Sequence, residues 1–164
     1  MPLTLQGSCR CGSVRFAVES HTPHPYQRCY CSICRKTAGG GGYAINLMGA
    51  ADTLAVEGRE AIAVYRAEIR DGAGHCETST GERNFCNRCA AALWLYDPTW
   101  PGLVHPFASA IDTALPTPPE RVHLMLDFKA PWVEPDIRPG DQVFPRYPVQ
   151  SIEDWHKSRG LWVA

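Results

Sequence analysis

Seven of the eight cysteines in this chain fall into three tight clusters. GSCRCG holds Cys9 and Cys11, RCYCSICRK holds Cys29, Cys31 and Cys34, and NFCNRC holds Cys86 and Cys89; Cys76 stands alone. Two thiols in a Cys-x-Cys pair sit too close for easy mutual bridging, given the geometry a disulfide requires. The start, MPLTLQGSCRCG, lacks the charged and apolar regions of a signal peptide, so a cytoplasmic, reducing location is the expectation. In such a compartment clustered cysteines point to metal or thiol chemistry rather than to disulfides. A fold with clusters this far apart in sequence must bring distant turns together around them.

Thiolate is a soft ligand that suits zinc, and a structural zinc site closes with four ligands. Cys9 and Cys11 precede an alternating stretch, SVRFAV (13–18), and Cys86 and Cys89 precede another, ALWLYD (92–97). Two such turns brought together make one closed site of four thiolates. Cys29, Cys31 and Cys34 then remain as a set of three. Three protein ligands with a vacant fourth position mark a catalytic or ligand-binding metal site. Cys76 is read as a small buried core residue, with fourth-ligand status as the competing reading, and His75 is a further candidate ligand.

The rest of the chain reads as β-rich. SVRFAV, YAINLM (43–48), TLAVEG (53–58), AIAVYRA (61–67), ALWLYD and VHLMLDF (122–128) are short strand patterns separated by turn residues. An all-β assembly of small sheets fits this better than alternating strands and helices. PWVEPDIRPGDQVFPRYP (131–148) is proline-rich with no period and reads as an extended surface arm. Ser151 with Asp154 three residues on, then Gly160, bounds a short C-terminal helix. This gives a domain over 1–130, with the arm and helix of 131–164 packed on it.

Composition excludes several classes. Net charge is −1 with no long basic run, so no nucleic-acid partner is indicated. No apolar run approaches the length of a membrane span. The six histidines show no ligand spacing, and no Ser-His-Asp arrangement is evident. Arg35 and Lys36 follow the triplet at once and are placed to meet the carboxylates of a peptidic thiol, or to form a solvated surface pair. TAGGGG (37–42) lacks the Lys-Ser/Thr ending of a phosphate loop; it either lets backbone approach a ligand or is simply flexible. Arg83 faces either the site or solvent. Trp94, Tyr96, Trp100, Phe107 and Trp132 are core aromatics first and pocket candidates second.

The ordered series Cys-x-Cys, Cys-x-Cys-x-x-Cys, Cys-x-x-Cys, carried by GSCRCGSVRF, CYCSICRK and RNFCNRCAAALW, resembles the glutathione-dependent formaldehyde-activating enzymes, whose domain the centromere protein V group shares. LDFKAPW (126–132) resembles that family's closing motif. The resemblance spans nearly the whole chain. It implies an all-β "tent" of small antiparallel sheets with zinc knuckles and two zincs per chain. Cys9, Cys11, Cys86 and Cys89 would hold the structural zinc; Cys29, Cys31 and Cys34 would hold the second, with its open position near the glutathione site. Two positions depart from the pattern: Ala90 stands where glycine commonly follows the last pair, and Ile33 where a polar residue is common.

The activity this implies is joining glutathione to formaldehyde as S-hydroxymethylglutathione, formally a carbon–sulfur lyase in reverse. Cys29, Cys31 and Cys34 form the catalytic set, Arg35 and Lys36 bind the thiol, and the partners are a small thiol and a small aldehyde. A non-catalytic zinc scaffold that carries a thiol or docks a partner is the alternative. A third reading has one occupied zinc site and a reactive, oxidisable triplet. Edge strands of such sheets leave room for a homodimer.

Overall fold

The structure is a computed structural model that describes residues 1–164. The strands are short, as the spacing of turn residues dictates. They are β1 (Leu3–Ser8), β2 (Arg15–Ser20), β3 (Gln27–Cys29), β4 (Ala44–Ile45), β5 (Gly49–Ala50), β6 (Ala55–Glu57) and β7 (Ile62–Tyr65). They continue with β8 (Glu68–Arg70), β9 (Cys76–Thr78), β10 (Glu82–Cys86), β11 (Ala92–Tyr96), β12 (Leu103–Pro106), β13 (Val122–Leu124) and β14 (Gln142–Val143). Helix α1 (Ser32–Thr37) begins inside the cysteine triplet and runs past Cys34, and α2 (Ile152–Ser158) lies near the end of the chain. The protein is mostly β, as expected. No helix is long and apolar enough to cross a membrane.

Three antiparallel sheets and one mixed sheet carry these strands. β1, β2 and β6 form one; β5, β12, β11, β10 and β7 form the largest; β8 and β9 make a hairpin. The fourth runs β14-β13-β3-β4, and here the expectation of purely antiparallel sheets is corrected. β13 pairs in parallel with both β3 and β14, in register Val122 to Gln27 and Val122 to Gln142. Parallel pairing requires a long crossover, and β3 and β13 are joined by most of the domain. The arm thus carries a strand, although its sequence shows no strand period.

Alternation explains which faces are buried. In β2, Phe16, Val18 and Ser20 point inward between more exposed neighbours. Leu5, Val14, Phe16, Val18, Leu93, Trp94 and Val104 build the main core, and Cys9 and Cys86 belong to it. A second core holds Tyr26, Phe107, Val122, Leu124 and Trp155 together with Cys29 and Cys34. Each cysteine cluster therefore plugs one core. Trp155 of α2 stacks on Tyr26 at 3.6 Å between ring centres, which fastens the C-terminal helix beside the triplet's core. Ser151 caps α2 by accepting the Asp154 N–H at 3.0 Å, and Gly160 takes φ 66 beyond its end, as the sequence suggested.

Several strand expectations shorten in the structure; TLAVEG is extended only over Ala55–Glu57 and AIAVYRA only over Ile62–Tyr65. VHLMLDF stays extended only to Leu124, because Met125 adopts φ 61 and Leu126–Phe128 forms a 3-10 turn. YAINLM is a strand only at Ala44–Ile45, with isolated bridges from Asn46 and Met48.

A buried polar network ties the arm to the mixed sheet. The Asp141 carboxylate accepts from Arg121 Nε at 2.9 Å and Nη2 at 2.6 Å, and from the Arg121 and Arg138 backbone N–H groups at 2.8 and 3.0 Å. His123 Nε2 lies 3.1 Å from the same carboxylate, and His123 Nδ1 lies 2.9 Å from the Tyr30 hydroxyl. Burial pushes the His123 pKa down. The neutral ring fits the chain Tyr30 O–H to Nδ1 and Nε2–H to Asp141. Tyr30 is the residue between Cys29 and Cys31, so the arm is linked to the backbone that carries the triplet.

Candidate metal centres and cleft

The first centre is built by two turns. In one, Gly12 N–H donates to the Cys9 carbonyl; in the other, Ala90 N–H donates to the Cys86 carbonyl. The residue after the second cysteine is left-handed in both, Gly12 at φ 76 and Ala90 at φ 62. That is the physical reason glycine suits the position. The ligand atoms of Cys9, Cys11, Cys86 and Cys89 all lie within 4.8 Å of one another and could hold a metal ion. The Cys9–Cys11 and Cys11–Cys86 sulfurs are 3.5 and 3.8 Å apart. A tetrahedron with metal–sulfur bonds of about 2.3 Å has edges of about 3.8 Å, so these thiols fit a tetrahedral thiophilic ion with little movement. Backbone N–H groups of Val14 and Arg88 donate to the Cys9 and Cys86 sulfurs at 3.2 and 3.4 Å.

The second centre groups Cys29, Cys31 and Cys34, again within 4.8 Å, and the cluster ends at three. Cys29 closes β3, Cys31 is the N-cap of α1, and Cys34 is one turn on. The Cys31 sulfur accepts the Cys34 N–H at 3.3 Å, so the cap that starts this short helix is itself a candidate ligand. Cys29 and Cys34 are buried and Cys31 is half-buried. With only the three sulfurs present, hydrogen bonds from the Cys29 and Cys34 thiols hold the Cys31 pKa far down, to about 2. The reciprocal bond to Cys31 pushes Cys29 up. One thiolate shared by two thiols is the protonated counterpart of a tris-thiolate metal site.

Cys76 joins neither cluster. It lies exposed on β9 of the β8–β9 hairpin, which corrects its reading as a core residue. An alternating strand of a two-stranded hairpin that packs under no other sheet buries neither face. His75 is exposed beside it and pairs with Asp71 at 3.2 Å. Among the aromatics, Trp94 and Phe107 are core, while Trp100 and Trp132 are exposed. Of these, Phe107 lines the cleft beside the triplet.

That cleft has two parts. The larger, about 510 Å³, is lined by Arg35, Lys36 and the glycine loop on one side and by Ala90–Ala92 on the other, with Arg10 at its rim. The smaller, about 270 Å³, is lined by Tyr65, Phe85, Phe107 and Arg83. Thr37, Ala90 and Ala92 border both, and no carboxylate lines either. Arg83 connects cleft and sulfurs: its Nη2 donates to Cys34 Sγ at 3.7 Å and its Nη1 to Thr37 Oγ1 at 3.4 Å. Asn46 Nδ2 reaches the same sulfur at 4.0 Å.

The glycine run is tightly packed at its two ends, Gly39 and Gly42. A Cβ on Gly39 would sit 2.0 Å from the Tyr43 carbonyl oxygen, and one on Gly42, at φ 89, would meet Val133 at 2.3 Å. Gly40 has open space around it. The sequence reading missed Arg10 as a cleft residue and left Arg83 undecided. Arg10 had a signal, since it lies between two cysteines whose turn must meet Ala90. Arg83 had only its closeness to Cys86.

The comparisons with known proteins agree with this architecture. Residues 4–124 match the family model described as glutathione-dependent formaldehyde-activating enzyme. The chain belongs to that family. A Halomonas elongata protein, provisionally named a glutathione-dependent formaldehyde-activating enzyme, is 63% identical over 159 residues, covering 97% of this chain and 98% of its own. A crystal structure of a Rhodobacter sphaeroides protein is similar with a TM-score of 0.51 at 25% identity, covering 68% of this chain and 91% of that one.

Proposed function

We propose that this family member is a zinc-dependent carbon–sulfur lyase that binds a small peptidic thiol, glutathione, and forms or cleaves its adduct with formaldehyde or a related small aldehyde. The observation that carries the reading is a cluster of three cysteine sulfurs, ending at three, beside a carboxylate-free cationic cleft. Cys9, Cys11, Cys86 and Cys89 would hold a structural zinc and Cys29, Cys31 and Cys34 a second. Held by three protein thiolates, a zinc would have one position for an outside thiol and would keep that thiol deprotonated at neutral pH.

The chain's own groups account for the remainder. Arg35, Lys36 and Arg10 supply three cations to a molecule that carries two carboxylates. Holding the thiol at one place converts addition to the carbonyl into a nearly intramolecular step. In the forward direction the thiolate sulfur bonds to the carbonyl carbon, the C=O π pair moves to oxygen, and that oxygen takes a proton from water. Arg83, whose Nη2 donates to Cys34 Sγ at 3.7 Å, is the group we assign to stabilise this developing negative charge. Reversal breaks the C–S bond and returns the proton.

Exchange NMR with glutathione and formaldehyde tests the proposal. Protein carrying two zincs should speed adduct exchange above the uncatalysed rate, and Arg83→Met should reduce the gain with both metals retained. Fully metallated protein that leaves the exchange rate unchanged would favour the non-catalytic scaffold.

A further inference from the structure

The apolar half of the cleft is too large for formaldehyde. A one-carbon carbonyl is little bigger than a water molecule, whose share of liquid volume is about 30 Å³. The space beside Arg83 is about 270 Å³ and is walled by Tyr65, Phe85 and Phe107. The polar half already matches the charged backbone of a peptidic thiol, since its cations Arg10, Arg35 and Lys36 all lie there. The two halves meet at Thr37, Ala90 and Ala92, and Arg83 reaches from the apolar half to the Cys34 sulfur. A thiol adduct whose carboxylates occupy the polar half would therefore direct its carbonyl-derived substituent into the apolar half.

We propose that this second half is a subsite for the hydrocarbon chain of a larger aldehyde, so that the substrates include adducts of the thiol with medium-chain or aryl-substituted aldehydes. The inference rests on the lyase reading above and names its carbonyl substrate. The chemistry balances without an oxidant or reductant: the thiolate sulfur bonds to the aldehyde carbon, the carbonyl oxygen takes one proton from water, and the hemithioacetal keeps the aldehyde's hydrogen and chain. Tyr65 shows why this wall is open to a ligand. It is 46% exposed on β7, at the edge of the largest sheet, and it lines the cleft. A ligand chain laid there would cover apolar surface that the fold leaves wet.

Two measurements on the zinc-loaded full chain test this. Calorimetry compares S-methylglutathione with S-hexylglutathione, stable analogues that differ only in chain length. Full burial of a methylene is worth about fourfold in affinity, so even partial burial of the added chain should tighten binding at least ~10-fold. Exchange NMR then compares glutathione adducts of formaldehyde, propanal and hexanal, and acceleration over the uncatalysed rate should rise along the series. Tyr65→Lys places a charge in the subsite and should lower both the hexyl-to-methyl and hexanal-to-formaldehyde ratios. Faster formaldehyde exchange with equal affinity for both analogues would overturn the subsite and leave the lyase reading standing. No acceleration with any aldehyde would overturn the lyase reading, and the inference with it. A rising series that Tyr65→Lys leaves intact would place the chain elsewhere and refute the assignment to this cleft.

Discussion

Asp141→Asn isolates the network that fastens the arm to the sheet carrying Cys29. The Asp141 side chain is 3% exposed, that of Arg121 is 8% exposed and that of His123 is fully buried. Removing one charge from a buried, hydrogen-bonded pair costs about 3–5 kcal/mol, because the partner charge is left without compensation. Arg121 keeps a second anchor here, with Nη1 3.1 Å from the Asp136 carboxylate and Nη2 on the Asp136 carbonyl. The loss should therefore fall near about 3 kcal/mol, the lower end of that range. For a chain of this size that is a drop of about 6–12 °C in melting midpoint.

The pH dependence fixes the mechanism. Burial raises the Asp141 pKa, but hydrogen bonds from Arg121, Arg138 and His123 outweigh it and hold the carboxyl well below the ordinary carboxylate range. A depressed carboxyl contributes stability that is complete above its unfolded value, about 3.9, and is lost as pH falls through the folded value. The gap between wild type and Asp141→Asn should be full at pH 7 and narrow only below about pH 4. Urea titration of both proteins across this pH range reads this directly. Asp136 is largely exposed, so Asp136→Asn should leave the midpoint near the wild-type value. A loss below about 1 kcal/mol for Asp141→Asn, or a gap constant from pH 7 to pH 3, would mean that the Asp141 charge does not hold this network together.

Other residues give sharper local tests. Ala90→Gly removes a left-handed alanine at φ 62; the strain relieved, about 1–2 kcal/mol, exceeds the entropy cost of glycine, and urea melts should show a gain of up to about 1 kcal/mol. Gly39→Ala should destabilise by well over about 1 kcal/mol, because its Cβ meets the Tyr43 backbone, whereas Gly40→Ala in open space should be near neutral; paired thermal melts separate them. Cys76→Ser should leave zinc content unchanged on elemental analysis, because Cys76 lies in neither cluster.

The grouping of cysteines was legible because metal-site spacing is local: each turn carries its own pair, and two pairs complete a tetrahedron. The C-terminal helix was legible for the same reason, its cap and stop lying within ten residues. What escaped the sequence depends on distant partners or on very short elements. Helix α1 has six residues and no apolar period; it exists because Cys31 caps it. The parallel pairing of β13 with β3 joins Val122 to Gln27, 95 positions apart, and no local pattern encodes it. Cys76 was misjudged because a lone cysteine is usually buried, but its hairpin has no sheet packed against either face. The two-part cleft arises where α1 meets the knuckle at Ala90, a contact no single segment announces.

We propose that the triplet holds a metal with one position left for an external thiol. An anomalous difference map at the zinc edge, from crystals soaked in glutathione, tests it most directly. Two metal peaks per chain are expected, one enclosed by Cys9, Cys11, Cys86 and Cys89, and one bonded to Cys29, Cys31, Cys34 and the glutathione sulfur. A single peak, or a second metal whose fourth ligand is a protein side chain, would contradict it.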